Sequence, residues 1–191
     1  MDTTRASLLM RIKDPANATA WRDFDAIYRP MLHRFATLRG LDDSTAEDVV
    51  QHCMASVHQH IRSFEYDPSR GRFKSWLRTM VNNRIRNLHR DRHEDEAKTQ
   101  DFRRSQDREP SPDEAFDKLW MEEHLRHAME ALHKEVGDST YAAFTAYAID
   151  DKPVEDVCKQ YELTANQLYK IKWRLTQRLS EMLKNLIGED E

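Results

Sequence analysis

The chain has 191 residues, of which 39% are hydrophobic and 34% are charged, and it contains only four glycines. This composition can bury a core, and it favours long solvent-exposed helices over strands and tight turns, so we predict an all-α protein. The formal net charge of -4 argues against a uniformly basic nucleic-acid binder, but it does not exclude a local basic surface.

Two amphipathic helices are predicted before residue 64. The first has apolar residues at three- and four-residue intervals, with an interruption or bend expected at Pro30 and a C-cap at Gly40. Its apolar residues are Trp21, Phe24, Ile27, Tyr28, Met31, Leu32, Phe35 and Leu38. Asp42, Asp43 and Ser44 can cap the second helix, whose apolar residues are Ala46, Val49, Val50, Cys53, Met54, Val57 and Ile61.

A strongly basic helix is predicted next, after a loop at residues 64–72 that contains Pro68 and Gly71. The stretch from Phe73 to Arg92 holds six Lys or Arg residues and one Asp. On a helix, its apolar residues form one stripe, which we assign to the core: Trp76, Leu77, Met80, Val81, Ile85 and Leu88. The opposite face carries Asn and Arg side chains, which can bind base edges and phosphates, although a simple solvated basic face has the same pattern.

A charged segment with almost no apolar residues follows, at residues 93–113, and we predict a flexible linker there. Beyond it, apolar spacing predicts a helix around residues 116–132 and a shorter one around 141–149. Pro153 opens another helix, and after a turn at 162–164 a long helix begins at Ala165 with Thr164 as its N-cap. Two helices joined by a short turn are typical of a DNA-binding helix-turn-helix, but a plain helical hairpin remains the alternative.

The order and spacing of these features resemble the sigma-70 family of bacterial RNA polymerase initiation factors, and in particular its small extracytoplasmic-function (ECF) type. The resemblance covers about residues 16–187. Its most specific pieces are AEDVVQ at 46–51, RGRFKSWLRTMVNNRIRNLHR at 70–90 and the closing helix-turn-helix. It implies a region 2 domain at residues 1–92, the linker at 93–113, a region 4 domain at 114–187 and an acidic tail at 188–191.

The resemblance also implies partners for each domain. In the family, the AEDVVQ-type helix binds the clamp helices of the largest subunit of core RNA polymerase, which here selects Asp48, Gln51 and His52. Region 4 also contacts the flap of the second-largest subunit. Many members are held by an anti-sigma protein, so such a protein is a candidate partner. Promoter DNA is the remaining partner, and no cofactor or membrane is implied.

Two sets of residues are implied as promoter contacts. The separated strand of the -10 element would meet aromatic walls and Lys, Asn and Arg side chains, namely Phe64, Tyr66, Lys74, Asn82, Asn83, Arg86 and Arg90. The -35 duplex would meet the second helix of the helix-turn-helix through Thr164, Asn166, Gln167, Lys170 and Arg174. The segment TANQLYKIKWR at 164–174 departs from the commonest family pattern, which leaves the base preference open.

Enzymatic and metal-binding alternatives have weaker support. The nine His are not arranged in a zinc motif, even though His124, His127 and His133 share one predicted helix. Cys53 and Cys158 lie in apolar helical patterns, which predicts buried thiols without a disulfide. No signal peptide or membrane span is recognisable, which predicts a soluble cytoplasmic protein. The sequence thus favours a non-enzymatic initiation factor over a helix-turn-helix regulator that is not a polymerase subunit, or a metal-dependent hydrolase.

Overall fold

A computed structural model of the chain describes residues 5–64, 72–96 and 111–187, with side chains at 8–64, 73–90 and 111–186. Within these ranges the protein is all-helical, as predicted. The helices are α1 (Arg5–Arg11), α2 (Ala18–Leu38), α3 (Asp43–His60), α4 (Arg72–Glu96), α5 (Pro112–Glu135), α6 (Asp138–Ala148), α7 (Val154–Tyr161) and α8 (Ala165–Ile187). None of the described helices is long and apolar enough to cross a membrane.

The fold divides into two compact units, formed mainly by Ala6–Glu123 and by His124–Gly188. The division falls inside α5, so the first half of this helix belongs to the first unit. The sequence analysis instead assigned this helix from residue 114 onward to the second domain. The predicted boundaries therefore remain a prediction, while the packing shows that α5 contributes to both units.

Helices α2, α3 and α4 build the core of the first unit. An aromatic cluster lies where α2, α4 and the first half of α5 meet, and it comprises Phe24, Tyr28, Phe73 and Trp120. The Phe73 ring lies 5.9 Å from Phe24, 5.5 Å from Tyr28 and 6.3 Å from Trp120, measured between centroids. All four side chains are at most 1% exposed, so this cluster fixes α4 and the start of α5 against α2.

Local sequence sets the boundaries of α2 and α3. Gly40 has a φ of +83°, and the amides of Gly40 and Leu41 donate to the carbonyls of Thr37 and Ala36, which is the Schellman arrangement of a helix end. The predicted C-cap region at Gly40 is thereby confirmed. The Asp42 carboxylate then accepts from the Thr45 amide at 2.9 Å and caps α3. Helix α2 is not interrupted at Pro30.

Helices α4 and α5 both extend into the segment 93–113 that the sequence analysis predicted as a linker. Helix α4 continues to Glu96, and α5 begins at Pro112, while residues 97–110 lie outside the described residues. Ser111 and Glu114 form a reciprocal capping box, because each backbone amide donates to the other residue's side chain, at 2.9 and 3.2 Å. With Pro112 in the first helical position, this S-x-x-E pattern starts α5 well before its apolar stripe.

The second unit packs the second half of α5 with α6, α7 and α8. One cluster of buried residues comprises Ala143, Ala146, Val157 and Leu168, and the other comprises Leu132, Phe144 and Leu175. Three apolar side chains that the sequence pattern placed in helical stripes, Leu38, Leu125 and Ile149, are instead 63%, 40% and 57% exposed. Leu38 and Ile149 lie at helix ends, where the packing neighbours run out.

Replacing Trp120 by alanine tests the assignment of early α5 to the first core. We expect Trp120→Ala to lower the free energy of unfolding by about 3–5 kcal/mol, because it empties a fully buried site. Trp173→Ala is the matched control, because this indole is 69% exposed and its loss should cost about 0.5 kcal/mol or less. Urea denaturation followed by far-UV circular dichroism measures both, and equal costs would contradict the assignment.

The two cysteines should differ sharply in reactivity. Burial raises the pKa of Cys53 to about 12, against the smaller opposing effect of Arg84, whereas Cys158 is only half-buried and not fully buried as predicted. Because the folded pKa is raised, this thiol stabilises the fold fully below pH about 8.5, and that stabilisation is lost as the pH rises towards the folded value. At pH 8, iodoacetamide should therefore alkylate Cys53 at least about a hundredfold more slowly in the native Cys158→Ser variant than in the same variant unfolded in urea. Equal rates by mass spectrometry would refute the burial.

Candidate nucleic-acid interface

Helix α4 has one buried face and one exposed polar face. Its buried residues, each at most 1% exposed, are Phe73, Leu77, Val81 and Ile85. On the opposite side Asn83 and Arg86 are exposed, and the Arg86 guanidinium donates to Asn83 Oδ1 at 3.4 Å. The helix thus holds a cation and an amide side by side on a rigid surface, the chemistry that phosphate and base contacts require.

The other predicted strand-binding residues of α4 lie in different surroundings. Arg90 is exposed, and Asn82 is half-buried. Asn82 and Arg86 line a hollow of about 350 Å³ whose other wall includes Ser111 and Asp113 at the start of α5. Lys74 is paired with the Asp117 carboxylate at 2.9 Å. The exposed face therefore reaches from Lys74 to Arg90, and α5 borders part of it.

The two aromatic residues beside the loop differ from what the sequence suggested. Phe64 is packed more tightly than expected, and Trp76 is packed less tightly. Phe64 is half-buried, with its ring 5.1 Å from Trp76 and 5.9 Å from Phe73. Trp76, which we assigned to the core, is also half-buried and lines a hollow of about 300 Å³ beside Asn83. Phe73 is in the core as predicted. Tyr66 lies outside the described residues.

A second exposed surface lies on α3. Asp48, Gln51 and His52 are all exposed on this helix, while Val49, Val50 and Cys53 are fully buried, as their spacing predicted. Glu47 lies one residue before Asp48 and binds Arg29 of α2 at 2.7 Å, which holds α3 against α2. The three predicted docking residues are thus presented together on a firmly packed helix.

Helices α7 and α8 form the helix-turn-helix in the second unit. Glu162 ends α7 in the left-handed region at a φ of +55°, and the Leu163 amide donates to the Cys158 carbonyl at 2.9 Å. Val157 and Leu168 are buried against α6, so both helices are anchored. A tight αL turn followed at once by a new helix is the geometry that projects the second helix away from the first.

The five residues predicted to contact the -35 element fall into two groups in the structure. Asn166, Lys170 and Arg174 are exposed side chains on the helix surface. Thr164 and Gln167 instead bond each other: the Gln167 amide donates to Thr164 Oγ1 at 3.3 Å, and the Thr164 amide donates to Gln167 Oε1 at 2.8 Å. This capping box satisfies free amides at the helix start. Thr164 and Gln167 therefore position the other three.

An exposed tryptophan on the same helix was missed by the sequence analysis. Trp173 is 69% exposed and, with Leu163, Ile171, Lys170 and Arg174, lines a hollow of about 470 Å³. Its signal was present in the sequence, because Trp173 falls outside the inward spacing of Leu168, Ile171 and Leu175. An exposed aromatic ring between two cations extends the surface that α8 offers to a partner.

A two-point ion pair ties α8 to α5 within the second unit. The Arg178 guanidinium donates to both carboxylate oxygens of Glu135, at 2.7 and 2.8 Å. This hydrogen bonding lowers the pKa of Glu135 and raises that of Arg178. The pair stabilises the unit above the ordinary Glu pKa and is lost as the pH falls through the lowered value, and its solvent exposure keeps the contribution small.

The histidines considered as metal ligands do not converge in the part of the chain that the structure describes. His133 stacks on Tyr141 at 4.1 Å between ring centroids, and its Nε2 lies 3.0 Å from Asp138 Oδ1. Among the described residues, no three His, Cys, Asp or Glu side chains are placed to hold a metal ion. Stacking on Tyr141 and the contact with Asp138 therefore account for the position of the His133 ring at the end of α5.

Comparison with known proteins gives one family match, which lies within the first unit. Residues 26–94, which run from α2 through α4, match the family model of Sigma-70 region 2. The chain is also similar to a solved structure of the sigma factor RpoE in complex with the anti-sigma factor NepR from Bartonella quintana, with 20% identity over 89% of this chain and 98% of that one. The TM-score of that match is 0.36, too low to support any conclusion. No curated protein matches the chain.

Removing the Thr164 hydroxyl should loosen the start of α8. Thr164→Ala deletes the two bonds of the Thr164 hydroxyl, one accepted from the Gln167 backbone amide and one donated to Gln167 Oε1, and should cost about 1 kcal/mol, which is roughly a fivefold faster amide exchange in the first turn of α8. Thr164→Ser keeps the hydroxyl and serves as the control. Hydrogen–deuterium exchange of residues 164–170 measures the difference, and identical exchange in the two variants would contradict the positioning role.

Proposed function

We propose that the chain is an ECF-type member of the sigma-70 family of transcription initiation factors and recruits core RNA polymerase to specific promoters, because residues 26–94 match the family model of Sigma-70 region 2. The observation that carries this proposal is the division of α4 into a buried apolar face and an exposed Asn83–Arg86 face inside the matched region. The α4 surface would hold one separated strand of the -10 element.

The exposed face of α4 is rigid, which favours the binding of one separated DNA strand. Asn82, Asn83, Arg86 and Arg90 lie on one continuous helix, so the spacing of their side chains is fixed before DNA arrives. A preformed surface saves the cost of ordering side chains on binding. Stacking adds about 1–3 kcal/mol for each captured base, and Phe64 with Trp76 offers the adjoining aromatic surface.

The α3 surface would bind the polymerase itself. Asp48, Gln51 and His52 are the proposed contacts to the clamp helices, where an acidic side chain suits a basic partner surface. These residues and the DNA face of α4 are carried by different helices of one unit. Polymerase docking and strand capture can therefore be separated by mutation.

The second unit would read the -35 element as duplex DNA. Asn166, Lys170 and Arg174 supply amide and cationic groups on the exposed side of α8, and Thr164 with Gln167 fixes the helix start from which they project. The same unit would contact the polymerase flap. The protein would act without catalysis of its own, in the cytoplasm where its polymerase works, and an anti-sigma protein remains a predicted partner.

Transcription with purified core polymerase and a library of promoter fragments tests the whole proposal. We expect a stable complex with core enzyme and defined start sites. A protein that binds duplex DNA equally well without polymerase and directs no starts would be a conventional helix-turn-helix regulator. Turnover of a substrate with added metal ions, again without polymerase, would instead indicate a hydrolase.

Mutation should separate the two surfaces of the first unit. Asn83→Ala with Arg86→Ala should weaken open-complex formation about ten- to a hundredfold while leaving affinity for core polymerase unchanged, because it removes base and phosphate contacts only. Asp48→Arg should instead lower core affinity by about tenfold or more. The control for the first pair is Asn185→Ala with Arg22→Ala, which removes an exposed amide near the end of α8 and an exposed guanidinium on α2. Equal loss of both activities in the α4 variant would mean that it had merely unfolded.

A further inference from the structure

Two cationic side chains of α4 form ion pairs with carboxylates from the first turns of α5. Asp117 Oδ1 lies 2.9 Å from Lys74 Nζ and 3.5 Å from Arg78 Nη1. Asp113 Oδ1 lies 3.6 Å from Arg78 Nε. Lys74 and Arg78 are separated by one turn of α4, so they form a single cationic site that both acids share.

Apolar packing, and not the ion pairs, brings the acids to this site. Phe116 and Trp120, on the turns beside Asp117, are fully buried, with the Phe116 ring 5.2 Å from Phe35 and the Trp120 ring 5.4 Å from Tyr28. The capping box of Ser111 and Glu114 fixes the start of the helix at Pro112. Asp113 and Asp117 are therefore held over α4 whether or not their charges are favourable there.

In these ion pairs, another anion can replace the two carboxylates. The four side chains are between 27% and 65% exposed, although Asp117 Oδ1 itself is shielded from solvent, and partly exposed pairs of this kind contribute little to stability. A carboxylate and a phosphodiester offer the same feature to Lys and Arg, namely anionic oxygens that accept charge-assisted hydrogen bonds. A phosphate can thus replace the acids without loss of bonding to the cations.

The site is continuous with the proposed strand-binding face. Arg78 is one turn before Asn82 on α4, and the hollow that Asn82 and Arg86 line is closed on one side by Asp113. A strand bound along Asn82, Asn83 and Arg86 would bring its backbone towards Lys74 and Arg78. The two acids lie along that path and would repel it.

We propose that Lys74 and Arg78 form a phosphate site for the promoter strand, and that Asp113 and Asp117 occupy this site in the free protein. The inference rests on the proposed function, since it requires α4 to bind single-stranded DNA. Arg78, which the sequence analysis did not select, becomes a DNA contact. The acids lower the affinity of the free protein for DNA, and displacement of their side chains accompanies strand capture.

Neutralising the acids tests the proposal on the full-length protein without polymerase. Binding of a short fluorescent single-stranded oligonucleotide of mixed sequence is measured by anisotropy over a series of salt concentrations. Asp113→Asn with Asp117→Asn should bind about three- to tenfold more tightly at 0.1 M salt, because Lys74 and Arg78 can then accept phosphates without displacing carboxylates, and the gain should fall as added salt screens the acids of the wild-type protein. Adding Lys74→Gln and Arg78→Gln should remove the gain.

The matched control removes two acids from α2. Asp23 and Asp25 pair with Arg11 and Arg29 at 3.3 and 3.0 Å, so Asp23→Asn with Asp25→Asn makes the same change in net charge on α2 and removes one ion pair from each of these two arginines. The proposal is overturned if the α5 variant shows no gain, or a gain equal to that of this control. If the wild-type protein still forms promoter complexes with core polymerase, such a result refutes the inference and leaves the proposed function standing.

Discussion

The burial of one apolar stripe of α4 is the constraint from which the rest of the first unit follows. Phe73 sits in this stripe and contacts rings from α2, from the residues before the loop and from α5. Each fully buried side chain of this size is worth about 1.5–3 kcal/mol relative to exposure. A rotation of α4 that buried Asn83 or Arg86 would forfeit that stabilisation and leave polar groups without water. The Asn/Arg face is therefore directed outward by the core.

The same core explains how one small unit can carry several separate surfaces. Helix α3 buries Val49, Val50 and Cys53 and presents Asp48, Gln51 and His52, while α4 presents its polar face from a different helix. The third component is the first half of α5, which Phe116 and Trp120 anchor with its acids over Lys74 and Arg78. A rigid apolar interior thus fixes attractive and repulsive charges at defined positions, which surface ion pairs alone are too weak to do.

Periodicity predicted most of the helices because each buries a clear stripe, and it placed Val49, Leu77 and Ile85 correctly in the interior. The short helix α1 was missed because seven residues give little periodic signal, although Leu8, Leu9 and Ile12 are buried. The start of α5 was assigned to a linker on its charge, when the S-x-x-E pattern at Ser111 and Glu114 marked a helix cap. The charged composition of this segment therefore led the sequence analysis to overlook the capping motif at the start of α5.

The candidate site was predictable in outline and not in detail. Sequence spacing identified the polar face of α4 and the exposed residues of α8. It could not reveal that Gln167 turns back to Thr164, or that Lys74 meets Asp117, because the first depends on side-chain direction and the second joins residues far apart in the chain. Trp76 was assigned to the core from its place in the stripe, but it is half-buried because it lies at the edge of the α3–α4 contact.

Site-specific photocrosslinking tests the central claim most directly. A photoreactive amino acid is placed at position 83, and a second protein carries it at position 59 on the exposed side of α3; each is then assembled with core polymerase on promoter DNA. If the exposed face of α4 holds one separated strand, position 83 will crosslink to that strand near the -10 element and position 59 will not. Crosslinks from position 83 to polymerase alone, or equally to both DNA strands, would contradict the account.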